Sequence, residues 1–196
     1  MTKGEDTKQA ILERASQLAS RIGLETLTIG HLAAEMGLSK SGLFAHFGSK
    51  EALEVQVLDF TGQDYRDKVV VPAFKKDPGL PRIQALFDNW LDWVRINTHE
   101  GGCLFVQAAT ELDDRPGRPR DYMVKWQQLW FETLAEAARR AIAEGHLRED
   151  LDCDQFAFQF NAILFGYHNS QRMLKDPRAE GYARTAIAGL LAQSRA

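Results

Sequence analysis

The sequence has few cysteines and no long apolar segment. Only Cys103 and Cys153 occur among 196 residues, and the polar N-terminus carries no secretion signal, so no disulfide framework is predicted. The longest uncharged stretch, 155–171, is interrupted by polar side chains and is too short to span a bilayer. We therefore expect a cytoplasmic protein with no membrane partner, whose cysteines serve as small buried hydrophobic residues.

Motifs that carry catalysis or hold a metal are also missing. The chain has no Gly-x-Ser-x-Gly, no glycine-rich phosphate loop, no His-Glu-x-x-His and no cluster of cysteine and histidine. His99 and Cys103 are four residues apart, but two glycines between them disfavour a helical pair of metal ligands. Asp113 and Asp114 are flanked by arginines, which is typical of a solvated loop rather than an acid/base pair. We expect no enzymatic activity, no metal and no cofactor.

The composition is that of an ordinary globular chain. Hydrophobic residues make up 44% and charged residues 26%, which excludes a disordered or collagenous protein. The formal net charge of −3 argues against a nonspecific nucleic-acid coat, because such proteins are usually basic. Residues 1–50 carry six Lys or Arg against five Asp or Glu, so this segment is +1 and the remainder −4. The N-terminal quarter is thus slightly better suited to a polyanion than the rest.

Apolar residues recur at helical spacing along most of the chain, and no segment of useful length alternates as a strand does. Asp6 is predicted to cap the first helix, which Gly23 ends, and Ser49 is predicted to cap a long helix through the 50s and 60s. Prolines predict loops over 71–82 and 113–120. Further helices are predicted over 83–98, 103–112, from Tyr122 to Gly145, from Asp152 past Tyr167, and from Asp176 to the end. The fold class is therefore all-α.

Two short helices predicted near the N-terminus have the sequence pattern of a helix-turn-helix. Thr28 can cap a helix that runs through Met36, and Gly37 can stop it in the left-handed region. Ser39 can then cap a second helix, with Leu38 and Leu43 as its hydrophobic staple. Leu43 and Phe47, one turn apart, would face inward and leave a small, hydrogen-bonding and cationic face outside. Such a face is suited to a DNA groove.

The stretch 28–47 and the Gly-Ser-Lys-Glu-Ala-Leu that follows it resemble the N-terminal DNA-binding domain of the TetR family of bacterial transcriptional regulators. The resemblance implies a three-helix head over 5–51, with its motif at 28–47. It also implies a larger body over 52–196 that binds a ligand and dimerises through a four-helix bundle. The implied function is a ligand-responsive regulator, a repressor that a small molecule releases from a palindromic operator. An activator, or a repressor that needs its ligand, stays open.

Matching the chain to the family motif residue by residue gives a predicted DNA face. Thr28 and Lys50, at the starts of helices, are expected to bind phosphates, whereas Lys40 and Ser41 are expected to read bases. Phe44 stands where the family commonly has tyrosine, which leaves only apolar contact with a sugar or a thymine methyl. The predicted DNA-binding residues are Thr28, Ser39, Lys40, Ser41, Gly42, Phe44, His46 and Lys50.

The body is predicted to contain the dimer interface and a ligand pocket. Apolar residues cover most of the circumference of the helix after Asp152, which favours a second partner, here another copy of the chain. Aromatic residues can line an apolar pocket with a few polar groups, although each is individually also typical of an ordinary core. The predicted residues for a small, largely apolar ligand are Trp90, Trp93, Phe105, Trp126, Trp130, Phe160, Asn161 and Tyr167.

One competing hypothesis is an all-α ligand-binding or adaptor protein that has lost DNA binding. Retention of Ser39 and of both predicted hydrophobic staples, Leu27 with Leu32 and Leu38 with Leu43, argues against it. A gel-shift on DNA flanking the coding region separates the two hypotheses.

Overall fold

A computed structural model describes residues 3–96 and 101–196, and these parts of the chain are built from α-helices. The only β pairing within them is an isolated bridge between Leu147 and Arg195. The all-α prediction is thus confirmed. The helices are α1 (Lys3–Ile22), α2 (Ile29–Met36), α3 (Lys40–Phe47), α4 (Lys50–Tyr65), α5 (Val71–Phe74), α6 (Leu80–Ile96), α7 (Leu104–Glu111), α8 (Arg118–Ala143), α9 (Cys153–Arg172) and α10 (Ala179–Gln193), with a π-helical segment over Arg66–Val70.

Four predicted helix starts are confirmed by capping hydrogen bonds. The side chains of Thr28, Ser39 and Ser49 accept from the amides of His31, Gly42 and Ala52 at 3.0–3.1 Å. Asp152 Oδ1 accepts from the amides of Asp154 and Gln155 at 3.0 and 2.9 Å. Each bond satisfies amides that the helix itself leaves open, so local sequence fixes these boundaries.

Other predicted boundaries are wrong, chiefly at prolines. The predicted loop 71–82 contains α5, with Pro72 in its first turn, and α6 already begins at Leu80. Helix α8 likewise begins at Arg118, inside the predicted loop 113–120. Proline is compatible with the first turn of a helix because the amide it lacks has no partner there anyway.

The predicted N-caps at Asp6 and Asp176 are wrong. Asp6 lies inside α1, which begins at Lys3. Asp176 precedes the start of α10 at Ala179 and instead accepts from the amide and guanidinium of Arg178 at 2.9 and 3.0 Å. The sequence predicts that the helix called α6 here extends to Thr98. The described part of α6 ends at Ile96, so Thr98 lies outside the described residues.

The chain forms two compact units. The first comprises the chain through Tyr65 together with Val94–Lys125, and in it α1 packs on α4 and α7 while α2 packs on α3. The second comprises Arg66–Trp93 and Trp126–Ala196, in which α9 packs along α10. The two units do not coincide with the predicted DNA-binding head over 5–51 and body over 52–196. That functional division stays a prediction. None of the described helices has the length and apolarity to cross a membrane.

Candidate nucleic-acid interface

Helix α3 buries one side and exposes the other. Leu43 and Phe47 are 0% and 5% exposed, as their spacing predicts. Lys40, Ser41 and Phe44 point away from them into solvent. Leu38, predicted to staple Leu43, is 41% exposed. Because the helix dipole favours anions at the N-terminus, the exposed face begins where a phosphate is best accommodated. The exposed predicted residues on or beside α3 are Ser39, Lys40, Ser41, Gly42 and Phe44.

The turn between α2 and α3 fixes the angle at which that face is presented. Gly37 adopts φ +64°, a left-handed conformation that residues with a Cβ rarely adopt. The amide of Leu38 donates to the Ala33 carbonyl oxygen at 2.9 Å, which closes the turn. Thr28 is exposed at the start of α2. Its oxygen accepts from the His31 amide, and its own O–H hydrogen stays available to a phosphate oxygen.

The last two predicted DNA residues are engaged within the protein. His46 is half-buried, and its ring centroid lies 6.2 Å from that of Phe47. The Lys50 ammonium donates to the Glu25 carbonyl oxygen and lies 3.7 Å from a carboxylate oxygen of Glu54. In this conformation Lys50 therefore ties the start of α4 to the segment between α1 and α2. With three donors on the ammonium, a phosphate contact stays a prediction.

The first helix supports the helix-turn-helix through polar contacts. Arg14 of α1 and Glu35 of α2 form an ion pair at 2.8 Å, and the Arg14 hydrogen bond lowers the pKa of the Glu35 carboxyl. A buried hydrogen bond of 2.7 Å joins the hydroxyls of Ser16 and Thr61, which connects α1 with α4. The first contact joins α1 to α2 and the second joins α1 to α4, and α3 is in turn joined to α2 by a turn of only three residues.

The contacts that α7 and the segment before it make with the end of α1 and with the segment after α1 were not predicted. The Gly101 amide donates to Ser20 Oγ at 3.2 Å, and Glu111 Oε2 accepts from the Glu25 amide at 2.9 Å. The partners lie more than 80 residues apart in the sequence. Neither a motif nor a spacing gives a signal for such pairs.

The predicted ligand residues are mostly buried and do not all lie in one unit. In the second unit, Trp130 Nε1 donates to Asn161 Oδ1 at 3.1 Å, and the rings of Trp90 and Tyr167 meet edge to face at 5.9 Å. Phe105 lies in the first unit and packs edge to face on Tyr65 at 6.0 Å. The five buried members of the second unit are Trp90, Trp93, Trp130, Phe160 and Tyr167, and the half-buried ones are Trp126 and Asn161. That they line a pocket stays a prediction.

Comparison with protein families decides the identity of this architecture. Residues 11–57 match the model described as bacterial regulatory proteins, tetR family. Residues 79–187, more than half of the chain, match the model described as tetracyclin repressor-like, C-terminal domain. The chain belongs to the TetR family. It is therefore a ligand-responsive, DNA-binding transcriptional repressor, and the family resemblance of the helix-turn-helix sequence is confirmed.

Individual TetR-family relatives are distant in sequence and close in fold. The HTH-type transcriptional repressor KstR2 of Mycobacterium tuberculosis is 28% identical over 150 residues, covering 74% of this chain and 70% of that protein. The crystal structure of a TetR regulator from Chloroflexus aurantiacus has a TM-score of 0.86 at 26% identity and covers 98% of this chain and 96% of its own. A putative regulator from Saccharomonospora viridis, in complex with choline, has a TM-score of 0.82 at 21% identity over 98% and 99%.

The second unit of this TetR-family chain also has a cleft that was not predicted from the sequence. It encloses about 300 Å³ and carries charges of both signs. The Arg82 guanidinium lies over the Phe74 ring at 4.7 Å, while Glu136 is paired with Arg140 at 2.8 Å. Both acidic and basic groups line it, so it has no preference for one sign of ligand charge. The lining residues are Phe74, Pro78, Arg82, Glu136, Ala137, Arg140 and Glu144.

The two thiols differ in burial, which predicts different reactivity. Cys103 is buried, as predicted, and desolvation raises its pKa to about 12. Cys153 is only half-buried, so the predicted burial is not confirmed there. Because the thiolate is the reactive form, and it appears only as the pH rises towards the pKa, iodoacetamide at pH 8 is expected to spare Cys103. Mass spectrometry of the native protein checks this, with Cys153 as the faster-reacting internal control. Rapid alkylation of Cys103 before unfolding would contradict it.

Proposed function

We propose that this protein is a homodimeric repressor that binds a two-fold symmetric operator through α3 and is released by a small, largely apolar molecule. The observation that carries the proposal is the outer face of α3, where Lys40, Ser41 and Phe44 extend into solvent from a capped N-terminus. We propose the cytoplasm as its site of action, because that is where bacterial operators lie. The proposed mechanism contains no catalytic step.

The roles proposed at the DNA face follow from the chemistry of each side chain. Lys40 donates to guanine acceptors in the major groove, and the Ser41 hydroxyl can serve several bases. Thr28 and Lys50 bind phosphates and set the register without carrying sequence information. Gly42 permits close approach of the backbone to DNA. We assign Ser39 to capping and His46 to supporting the helix against its neighbour, each with only a peripheral DNA contact.

Dimerisation is proposed through the outer sides of α9 and α10. Phe156 and Phe160 are buried, whereas Phe158, on the other side of α9, is 60% exposed. Phe158, Ala162 and Gly166 recur every four residues, which aligns them on one face of that helix. A Cβ built at Gly166 or Gly189 meets no heavy atom within 4 Å, so both positions leave room for a partner helix. Such a face supports close packing of two helical pairs around a two-fold axis.

A two-fold dimer explains how short recognition helices achieve affinity. Two copies of α3 related by the axis read two half-sites about 34 Å apart, one turn of DNA. A ligand that prefers a different separation of the two copies shifts the population away from the DNA-binding state. Operator binding then weakens without any change at α3 itself.

The ligand site is proposed among the aromatic residues of the body. Trp90, Trp130 and Tyr167 supply apolar surface, and the Trp130–Asn161 hydrogen bond marks a polar group that a ligand can compete for. The relative from Saccharomonospora viridis holds choline, but at 21% identity it shares only the fold, so choline itself is not carried over. What we carry over is the class, a small organic molecule.

Replacing Lys40 with alanine is expected to weaken operator binding while leaving the oligomeric state unchanged. Loss of a base contact costs about 1–3 kcal/mol, or roughly 5- to 150-fold in affinity, and the dimer loses one such contact in each half-site. The test is a gel-shift on DNA flanking the coding region, with size-exclusion chromatography of the same samples. Lys75→Ala, which removes another exposed charge that lies outside the first unit, is the matched control. Equal affinities for the two variants at one salt concentration would remove Lys40 from the DNA face.

A further inference from the structure

The largest exposed side chain on α3 is apolar. Phe44 is 53% exposed, although the helix buries two other large apolar side chains, Leu43 and Phe47, almost completely. It follows Lys40 by four residues and Ser41 by three, so all three lie on one face. Helical side chains also lean towards the N-terminus, which carries the phenyl ring towards the two proposed base readers. The ring therefore belongs to the surface that enters the groove.

The same face carries few polar side-chain atoms that can hydrogen-bond to bases. Ser39 Oγ already accepts from the Gly42 amide at 3.1 Å and lies 3.3 Å from Ser41 Oγ. Gly42 and Ala45 have no polar side-chain atom. Apart from His46, which is half-buried and assigned above to supporting the helix, hydrogen bonds to base edges from α3 are thus limited to Lys40 and, in part, Ser41. Such a short list of donors leaves much of the half-site to be read by apolar contact.

Only one base carries an apolar group in the major groove, the C5 methyl of thymine. We propose, on the basis of the proposed function above, that Phe44 packs on a thymine methyl in each half-site and so makes the operator depend on an A·T pair there. A tyrosine at this position would bring a hydroxyl able to reach a phosphate. Phenylalanine has no such group. Its exposed ring is instead stabilised by packing against carbon atoms, because this removes apolar surface from water.

The competing contact for the ring is the carbon surface of a deoxyribose. That contact is the same for every sequence, whereas the methyl contact disappears when uracil replaces thymine. Uracil preserves the base pair and all its hydrogen-bonding groups. Burying one methyl corresponds to about fourfold in affinity. Symmetric replacement in both half-sites is expected to cost about 16-fold, since distant sites add.

The experiment begins with selection of operators from a random duplex pool by the full-length protein. Each thymine of the selected sequence is then replaced by uracil, symmetrically, and binding is measured at one salt concentration. We expect one symmetric position to lose about 16-fold. Phe44→Ala is expected to bind more weakly and to lose this sensitivity, so that thymine and uracil operators bind it equally. Phe44→Leu, which keeps an apolar side chain, is expected to retain part of it.

The outcomes separate this proposal from the function on which it rests. Selection of a palindrome whose affinity is unchanged by uracil at every position would overturn the thymine contact and leave the repressor intact. The same holds if Phe44→Ala still distinguishes thymine from uracil, because another residue then reads the methyl. The proposed function itself would be overturned if no sequence is selected and if Lys40→Ala binds the DNA flanking the coding region as tightly as wild type does. Because Phe44 is exposed and alanine favours helices, circular dichroism is expected to show a folded variant.

Discussion

Gly101→Ala is expected to destabilise the protein by about 3 kcal/mol or more, the upper range for overpacking in a protein interior. A Cβ at this position would lie 1.4 Å from the Ser20 carbonyl oxygen and 2.5 Å from the Arg21 amide nitrogen. Both are backbone atoms of α1, so relief requires the helix and the segment before α7 to separate. Separation also breaks the hydrogen bond from the Gly101 amide to Ser20 Oγ.

Chemical denaturation of Gly101→Ala measures this cost as a lower midpoint with the denaturant dependence unchanged. Gly4→Ala is the control within the same unit, because a Cβ there meets no heavy atom within 4 Å. It is expected to change stability by less than about 1 kcal/mol, in the stabilising direction that helix propensity gives. Coincident midpoints for wild type and Gly101→Ala would mean that the close approach to Ser20 does not exist in solution.

Local hydrogen bonds explain what the sequence predicts well. The caps at Thr28 and Ser39 bind amides three residues away, and the left-handed Gly37 closes the turn between them. All the atoms involved lie between Thr28 and Gly42, so a motif encodes them. The same locality makes the outer face of α3 predictable, because burial of Leu43 and Phe47 determines which positions remain outside.

Contacts between residues far apart in the sequence, and prolines that can either end or begin a helix, explain what the sequence does not predict. Glu111 reaches the Glu25 amide and Arg115 reaches Glu54 at 2.7 Å, each across more than 60 residues. No spacing rule reports such a partner. Lys50 illustrates the consequence at the DNA face, since its engagement with the Glu25 carbonyl oxygen is invisible in the motif that suggests a phosphate contact. At Pro72 the error has a different cause, because a proline that breaks one helix can also begin the next.

Gly166→Arg is expected to convert the proposed dimer into a monomer and to weaken operator binding by at least about 100-fold, the usual gain from joining two half-site contacts. Gly166 is exposed on α9, so a long side chain there extends into solvent in the single chain, and its Cβ meets no heavy atom within 4 Å. Arginine is a better helix former than glycine by roughly 0.5–1 kcal/mol, and its positive charge favours DNA. Loss of binding therefore cannot be attributed to a weaker helix or to repulsion.

Light scattering coupled to size-exclusion chromatography gives the mass of the Gly166→Arg variant, and a gel-shift gives its operator affinity. Gly166→Ala tests the position without filling it and is expected to stay dimeric. Gln128→Arg adds the same charge at an exposed position of α8 and is expected to keep both mass and affinity. If wild type is dimeric, its unfolding midpoint rises with protein concentration, and that dependence disappears in Gly166→Arg. A dimeric Gly166→Arg variant with unchanged affinity would place the interface elsewhere, because an arginine at the centre of two closely packed α9 helices leaves no room for the partner.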